Sequence, residues 1–429
     1  MHATLNKGRE RAILAALALP GQSAAESEEL LRELAELATT AGAAVVAVVH
    51  QRRDQPDPRY YLGEGKVEEL HLLVHGEEAD LLICDDELTP TQQRELEAKL
   101  EIRVIDRARL ILDIFAQRAR TKEAQLQVEL AQLEYLLPRL TGRGVALSRL
   151  GGGIGTRGPG ETKLEADRRR IRRRIAGLRR ELAEIRKQRA VQRKERTASG
   201  LPIVALVGYT NAGKSTLLNR LTAAGVLAED KLFATLDPTV RRFTLPSGET
   251  LLLVDTVGFI RKLPHELVAA FRATLEESTG ADRLLHLIDL SNPGFPAQKR
   301  AVEAVLADLG VPPGRVIPVL NKVDLLPSAY QKERLRVEHP DSVVISALSG
   351  EGMEDLFARL TAELAERWVR LELRLPYAES GLIGEIQAAG SVRATRYEAE
   401  EVVVEAVVSR AAADRWRRYA SFERRRRAD

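Results

Sequence analysis

The sequence predicts a multidomain α/β protein in which a long helical hairpin separates two α/β domains and a small α+β domain follows. Three observations predict it: two regions alternate short apolar runs with amphipathic segments, one region has heptad-spaced leucines, and the last region alternates in polarity. A chain of 429 residues is too long for one ordinary domain, and 44% hydrophobic residues can supply several cores. We expect four domains, with bounds 1–115, 116–197, 198–366 and 367–429.

The first region has the pattern of an N-terminal α/β domain. Short buried strands are predicted at AAVVAVVHQ, ADLLICDDEL and IRVIDR, and helices at GKVEELHLLVHG and TPTQQRELEAKLE, the second with Thr and Pro at its start. Strands that alternate with helices predict a parallel sheet. Cys84 lies in one of these runs and is expected to be a buried strand residue.

The second region has the pattern of an antiparallel helical hairpin. Leucines from Leu126 to Leu140 are spaced alternately by four and three residues. A second set of apolar residues, from Leu164 to Ile185, is spaced by seven and then alternately by four and three residues. A loop with eight glycines separates the two sets. Two narrow apolar seams joined by one loop predict two helices packed side by side.

Charge is concentrated in this second region. Residues 142–197 contain 18 Lys plus Arg and 6 Asp plus Glu, a net charge of +12, which leaves −9 for the rest of a chain whose net charge is +3. A cationic segment on an acidic protein indicates an RNA partner, with a solvated helix face as the alternative. The candidate RNA-binding residues are Arg143, Arg149, Arg157, Lys163, Arg169, Arg170 and Arg173. No aromatic residues interleave with them, so we expect contacts to phosphates rather than stacking on bases.

The glycine loop contains the spacing G-x-G-x-x-G at Gly153, Gly155 and Gly158. A dinucleotide site needs a strand before this motif and an acidic residue about 20 residues after it. A heptad helix precedes the loop and arginines follow it, so we disfavour a dinucleotide site here.

A stronger phosphate-binding signal lies in IVALVGYTNAGKSTLLNRL, where an apolar strand precedes the motif and a helix follows it. Gly208, Gly213, Lys214 and Ser215 satisfy G-x-x-x-x-G-K-[ST]. Backbone N–H groups would surround the β-phosphate, Lys214 would reach the β- and γ-phosphates, and Ser215 would bind Mg²⁺. The candidate phosphate-binding residues are Gly208, Tyr209, Thr210, Asn211, Ala212, Gly213, Lys214 and Ser215.

Two further motifs predict that the base is guanine. Asn321, Lys322 and Asp324 follow a buried strand as N-K-x-D, with Val323 between them, and the Asp324 carboxylate can accept from guanine N1–H and N2–H₂. Adenine offers neither donor, so a buried carboxylate would stay unpaired. VISALSG resembles the next motif of the GTPase superfamily, and this resemblance implies that the Ala347 N–H would meet guanine O6, flanked by Ser346 and Leu348.

The γ-phosphate side is predicted from DTVGF and FATLDPT. Asp255 would hold Mg²⁺ through water and the Gly258 N–H would meet the γ-phosphate; Thr256 and Val257 lie between them. The first switch is expected at Phe233, Ala234, Thr235, Leu236 and Asp237, with Thr235 and Thr239 as candidate Mg²⁺ ligands. The expected ligands are therefore GTP or GDP and Mg²⁺.

Phe259 occupies the position after D-x-x-G where signalling GTPases have the glutamine that orients the attacking water. A phenyl ring cannot hydrogen-bond water, so we assign no catalytic residue. Hydrolysis by the protein alone is expected to be slow, with acceleration by a docked partner.

The segments YYLGEGKVEEL, GGGIGTRGPGETKLEADRRRI, GYTNAGKSTL, FATLDPT and DTVGFI together resemble the HflX family of translation GTPases. The resemblance implies a Ras-like P-loop GTPase domain, favours Thr235 over Thr239 as the Mg²⁺ ligand, and includes the Phe after D-x-x-G. It also implies binding to the large (50S) ribosomal subunit and its rRNA in the GTP state, and the splitting or rescue of stalled ribosomes or a part in ribosome biogenesis. The hairpin tip would then lie near the peptidyl-transferase centre, with hydrolysis used for release.

The sequence also indicates where the protein is located and which partners it has. No apolar run approaches the roughly 20 residues of a membrane span, and the one cysteine can form no internal disulfide, which suits a reducing cytoplasm. We also expect a monomer. A membrane-associated regulatory GTPase with peripheral contact is the main alternative, and an RNA-binding module with an inactive GTPase domain is another. The C-terminal region matches no motif; SVRATRYEAEEVVVEAVV predicts a β-hairpin, followed by a basic helix that ends in FERRRRAD.

Overall fold

The computed structural model describes residues 9–140, 159–198, 200–222, 232–233, 239–262 and 279–424. It divides into two compact units. The first contains residues 1–183, 231–233 and 262–271, and the second contains residues 184–230, 234–261 and 272–429. The predicted fold class is confirmed, because two parallel-type α/β sheets, a pair of long helices and a small antiparallel sheet are all present.

The N-terminal domain is a four-stranded parallel sheet of order β2-β1-β3-β4. Its elements are β1 Arg11–Ala18, α1 Ala24–Ala41, β2 Ala44–Arg52, α2 Glu64–Gly76, β3 Leu81–Cys84, α3 Pro90–Leu100, β4 Arg103–Asp106 and α4 Arg107–Arg118. All three predicted strands and both predicted helices are present. The strand β1 was not predicted, because RAILAALA is buried almost throughout and therefore lacks the alternation of a half-exposed strand.

Local signals and buried charges fix this domain. Helix α3 begins with a capping box, in which Thr89 and Gln92 each bond to the other's backbone, and Pro90 occupies the first turn. Cys84 is fully buried as predicted, and burial raises the pKa of its thiol well above the usual value. Arg107 is buried and paired with Glu33 and with Asp85, which compensates the cost of desolvating its charge.

The predicted hairpin helices are α5 Lys122–Arg139 and α6 Pro159–Ala198. The apolar seam of α6 is buried at Leu178 and Leu182. Arg174 forms two 2.7 Å hydrogen bonds with the Glu129 carboxylate on α5. At least one residue of the arginine run therefore contacts the facing helix through an exposed ion pair.

The third domain has a six-stranded sheet of order β10-β9-β8-β5-β7-β6, in which only the β6–β7 pair is antiparallel. Its elements are β5 Ile203–Gly208, α7 Lys214–Thr222, β6 Thr239–Thr244, β7 Thr250–Asp255, β8 Arg283–Asp289, α8 Phe295–Asp308, β9 Val316–Asn321, α9 Ala329–Glu338, β10 Val343–Val344 and α10 Met353–Glu363. The carboxyl ends of β5, β7 and β9 carry the three motifs. Parallel strands therefore bring these motifs to one edge of the sheet.

The C-terminal domain is an antiparallel sheet of order β12-β13-β11-β14. Its elements are β11 Trp368–Pro376, α11 Leu382–Ala389, β12 Gly390–Tyr397, β13 Glu401–Ser409, α12 Arg410–Ala413 and β14 Ala420–Arg424. The predicted hairpin is confirmed as β12 and β13. The predicted basic terminal helix is wrong at residues 420–424, where the backbone pairs with β11; residues 425–429 lie outside the described residues.

The C-terminal sheet shares a core with the sheet of the third domain. Trp368 and Val407 belong to the same buried cluster as Leu251 and Leu253 of β7. The Trp368 indole Nε1–H donates to the Thr250 carbonyl at 3.1 Å. The two sheets are therefore joined by a shared hydrophobic core.

The helices of the described residues were compared with what a bilayer span requires only in their length and their hydropathy. None of the helices there is both long and apolar enough to cross a bilayer.

Candidate nucleotide site

The loop between β5 and α7 has the backbone that a phosphate-binding loop requires. Gly208 has φ of +151°, and a Cβ there would be 2.4 Å from the Leu287 carbonyl oxygen. Gly213 has φ of +92°, and a Cβ there would be 2.3 Å from Asn321 Nδ2. Only glycine fits both positions, so the motif glycines are required by the packing of neighbouring strands as well as by a ligand.

Lys214 begins α7 and its ammonium group lies inside the loop. Its Nζ donates to the carbonyl oxygens of Gly208 at 3.1 Å and Tyr209 at 2.8 Å. Burial lowers the pKa of Lys214 to about 8, and the nearby Asp255 opposes that shift. No carboxylate of the described residues is hydrogen-bonded to this buried ammonium, so it is suited to an incoming phosphate.

Ser215 and Asp255 meet at the end of β7. Ser215 Oγ donates to Asp255 Oδ2 at 2.8 Å, and Asp255 is fully buried. Thr256, the next residue, is also buried and donates from Oγ1 to the Leu206 carbonyl at 2.6 Å. Hydroxyl and carboxylate oxygens are the ligands that Mg²⁺ prefers, so Ser215 and Asp255 fit that ion.

The D-x-x-G segment is hydrogen-bonded directly to the phosphate loop. Phe259 N–H donates to the Gly208 carbonyl at 3.1 Å, and Thr210 N–H donates to the Phe259 carbonyl at 2.8 Å. Gly258 lies so close that a Cβ would be 2.9 Å from Thr210 Cα and 3.0 Å from Lys214 Nζ. The Phe259 side chain is only 4% exposed, so Phe259 is a packing residue.

Asn321 connects the base-binding segments to the phosphate loop. Its Nδ2 donates to the Ala212 carbonyl at 2.8 Å, and its Oδ1 accepts from Ala347 N–H at 2.9 Å. Val323 N–H also donates to the Ile345 carbonyl at 3.2 Å. The N-K-x-D and S-A-L segments are therefore held together before any base is bound.

Asp324 has the acceptor that guanine recognition needs. Its Oδ1 is buried, and no described residue hydrogen-bonds to it. A buried carboxylate oxygen without a donor costs free energy that a base N–H can recover. Lys322, at φ +66°, forms a 2.7 Å ion pair with Asp289, which restrains its side chain.

The S-A-L loop differs in one respect from the prediction. The Ala347 N–H, expected to meet guanine O6, already donates to Asn321, so O6 would have to share that donor. Ser346 is buried, with its Oγ accepting from Ser349 N–H at 2.9 Å. The Leu348 side chain is 72% exposed.

The first switch is described only in part. Phe233 is buried, with its ring in a T-shaped contact 4.6 Å from that of Phe115, within the first unit. Thr239 begins β6 and is the register partner of Asp255. The remaining predicted residues lie outside the described residues: Ala234, Thr235, Leu236 and Asp237.

Among the predicted RNA-binding residues, three lie on α6 with exposed side chains: Arg169, Arg170 and Arg173. The others fall outside the residues or side chains described: Arg143, Arg149, Arg157 and Lys163. Their RNA contacts remain predictions.

Sequence reasoning missed two residues that support the site. Asp289 ends β8 and pairs with Lys322, and Arg220 on α7 donates to the carbonyls of Ala347 and Leu348. Neither belongs to a motif, and only the packing of separate strands and helices brings them to the site.

Together, the glycine loop with its buried lysine, the Ser215–Asp255 pair and the unsatisfied Asp324 oxygen define a P-loop GTPase. Three family models match the chain: "GTP-binding GTPase N-terminal" at residues 28–116, "GTP-binding GTPase Middle Region" at 118–196 and "50S ribosome-binding GTPase" at 203–322. The chain belongs to the HflX family of GTPases, and it hydrolyses GTP.

The similarity to individual members is extensive. The GTPase HflX of Caldanaerobacter subterraneus subsp. tengcongensis is 48% identical over 408 residues, which cover 94% of this chain and 92% of that protein. The GTPase HflX of Escherichia coli K12 is 45% identical over 355 residues, covering 82% of this chain and 83% of that protein. A solved GTP-binding protein from Sulfolobus solfataricus in complex with GDP is 25% identical, with a TM-score of 0.44, and covers 82% of this chain and 98% of that one.

Proposed function

We propose that this GTPase binds the large ribosomal subunit in its GTP-bound state, splits or rescues stalled ribosomes or acts in their biogenesis, and leaves after hydrolysis. The observation that carries the proposal is the match of residues 203–322 to a 50S ribosome-binding GTPase model. The exposed Arg169, Arg170 and Arg173 of α6 support it, because they can neutralise rRNA phosphates. We also propose that the chain is divided into four domains, with bounds 1–115, 116–197, 198–366 and 367–429.

In this proposal the base and phosphates are held by different parts of one sheet edge. Asp324 accepts from the guanine N–H groups, Lys214 binds the β- and γ-phosphates, and the Gly258 N–H meets the γ-phosphate. Ser215, Thr235 and, through water, Asp255 would hold Mg²⁺, which neutralises phosphate charge. Contacts from Thr235 and Gly258 to the γ-phosphate would distinguish the GTP-bound from the GDP-bound state.

Hydrolysis in this proposal depends on the partner. The Phe259 ring is buried against the protein and offers no hydrogen bond to water. A group supplied by a partner can accelerate GTP hydrolysis about 10³- to 10⁵-fold. We therefore expect slow turnover alone and fast turnover on the large subunit.

The deciding experiment measures GTP hydrolysis and co-sedimentation with isolated 50S and 30S subunits, in GTP, GDP and a non-hydrolysable GTP analogue. We expect stimulation and GTP-dependent binding with 50S particles only. Lys214→Ala should abolish the nucleotide dependence. Equal binding in all nucleotide states, or rapid hydrolysis without any ribosomal particle, would contradict the proposal.

A variant set tests the RNA-contacting face. Replacing Arg169, Arg170 and Arg173 with alanine should weaken 50S binding by roughly tenfold or more and reduce its salt dependence. The matched control replaces three exposed arginines elsewhere, Arg300, Arg334 and Arg336, and should leave binding unchanged. Anionic liposomes in the same sedimentation assay test the membrane alternative, which gains support only if they retain the protein and 50S particles do not.

A further inference from the structure

Arg220 connects the helix that starts the phosphate site to the loop that faces the base. It lies on α7, six residues after Lys214, on the part of the chain that binds phosphate. Its Nε donates to the Ala347 carbonyl at 2.6 Å, and its NH2 group donates to the Leu348 carbonyl. One planar guanidinium therefore holds two consecutive carbonyls of the S-A-L loop.

This contact determines where a neighbouring N–H points. A peptide group is planar and trans, so its C=O and N–H point in opposite directions. The Ala347 carbonyl and the Leu348 N–H belong to the same peptide group, so Arg220 directs the Leu348 N–H away from itself. The Ala347 N–H is already engaged by Asn321 at 2.9 Å, so it is not a dedicated donor for the base.

The rest of the loop is held independently of Arg220. Ser346 N–H donates to the Glu351 carbonyl at 2.9 Å, and Gly350 N–H donates to the Ser346 carbonyl at 2.8 Å. A Cβ at Gly350 would be 2.7 Å from the Arg220 guanidinium, so glycine leaves room for the side chain to lie over the loop. Arg220 thus controls the two central peptide groups rather than the whole loop.

We propose that Arg220 is a specificity-positioning residue, which orients the Leu348 N–H as the donor to guanine O6. This rests on the guanine-binding function proposed above. Because α7 carries both Lys214 and Arg220, one rigid helix sets the distance between the phosphate contacts and the O6 donor, at about 1.5 Å of rise per residue.

The test combines residue substitutions with changes to single atoms of the base. In 6-thio-GDP the O6 acceptor is replaced by sulfur while N1–H and N2–H₂ remain; IDP lacks only the N2 amino group. In the unaltered protein we expect 6-thio-GDP to bind roughly three- to tenfold more weakly than GDP, the effect of one impaired hydrogen bond. In Arg220→Met, GDP should bind more weakly. The penalty for 6-thio-GDP, which is the ratio of its dissociation constant to that of GDP, should fall toward one.

Three comparisons separate positioning from general damage. The penalty for IDP reports the Asp324 contact and should be the same in the unaltered protein and in Arg220→Met. Arg220→Lys keeps the charge but cannot hold both carbonyls at once, so it should resemble Arg220→Met. Arg300→Met removes an equivalent exposed positive charge from α8 and should leave every ratio unchanged.

The outcomes are distinct. An unchanged 6-thio-GDP penalty in folded Arg220→Met and Arg220→Lys would overturn the proposal. A parallel change in the IDP penalty would also overturn it, since Arg220 would then support the whole pocket. If the unaltered protein bound ADP as tightly as GDP, the guanine pocket itself would be refuted.

Discussion

The Asn321 side chain donates to the Ala212 carbonyl at 2.8 Å, so a residue of the base-binding motif is hydrogen-bonded to the phosphate-binding loop. The two residues are 109 positions apart in the chain; Asn321 ends β9 and Ala212 follows β5, and β8 separates these two strands in the sheet. The base-binding and phosphate-binding segments are therefore linked by a hydrogen bond. A substitution in one segment should also change ligand binding at the other.

Asn321→Ala should weaken GDP binding and lower the free energy of unfolding by about 2 to 6 kcal/mol. The substitution leaves a buried carbonyl at Ala212 and a buried N–H at Ala347 without their partner, and each costs roughly 1 to 3 kcal/mol. Urea unfolding and GDP titration measure the two effects. Asn292→Ala, which removes one local turn contact, is the control; equal losses in both variants would refute the bridging role.

GDP binding should take up protons in alkaline solution. Burial lowers the pKa of Lys214 to about 8 in the unliganded protein, and bound phosphate favours the charged form, so binding raises this pKa. Near pH 8.5 calorimetric titrations in buffers of different ionisation enthalpy should show uptake, with affinity falling as pH rises; near pH 6.5 the uptake should vanish. Buffer-independent heats at both values would contradict the assignment.

Arg242→Met should lower the stability of the C-terminal domain. The Arg242 guanidinium contacts the carbonyls of Gln387, Ala388 and Gly390 at the end of α11, where the helix dipole is negative. We expect a loss of about 1 kcal/mol in unfolding free energy, a modest value because the residue is exposed. The neighbouring Arg241→Met removes the same charge without these contacts and should be nearly neutral in urea unfolding.

His286 should make the protein sensitive to acid. Burial in β8 lowers its pKa from 6.5 to about 3, so the native state keeps it neutral while the unfolded chain binds a proton. This group's contribution to stability is therefore intact above pH 6.5 and falls as pH decreases, by about 2 kcal/mol at about pH 5.

Urea unfolding at pH 6.5 and at about pH 5 tests this in His286→Gln, with His339→Gln as the matched control. His286→Gln should reduce the loss between the two values, whereas His339→Gln, at the end of α9, should not. An identical loss in His286→Gln would show that another group is responsible.

Several parts of the fold were predictable because their signals are local. The capping box at Thr89 needs four consecutive residues, and the heptad seam of α6 needs only regular spacing. The strands β2, β3 and β4 were predicted because their apolar runs are bounded by polar segments. The strand β14 was not, because its polar sequence ASFER becomes a strand through pairing with β11.

The sequence by itself determined the chemistry of the nucleotide site. A phosphate loop, a D-x-x-G segment and an N-K-x-D segment are short and contiguous, so their residue types and spacing identify the ligand without knowledge of the fold. The substitution of Phe259 for a water-orienting glutamine was visible in the same way.

Only the tertiary structure decided which residues support those motifs. Arg220 contacts a carbonyl 127 positions away, and Arg242 contacts one 148 positions away. It also decided that the Asn321 side chain accepts from the Ala347 N–H. Such contacts depend on the order of strands in a sheet, and chain folding sets that order through burial of apolar surface rather than through any local pattern.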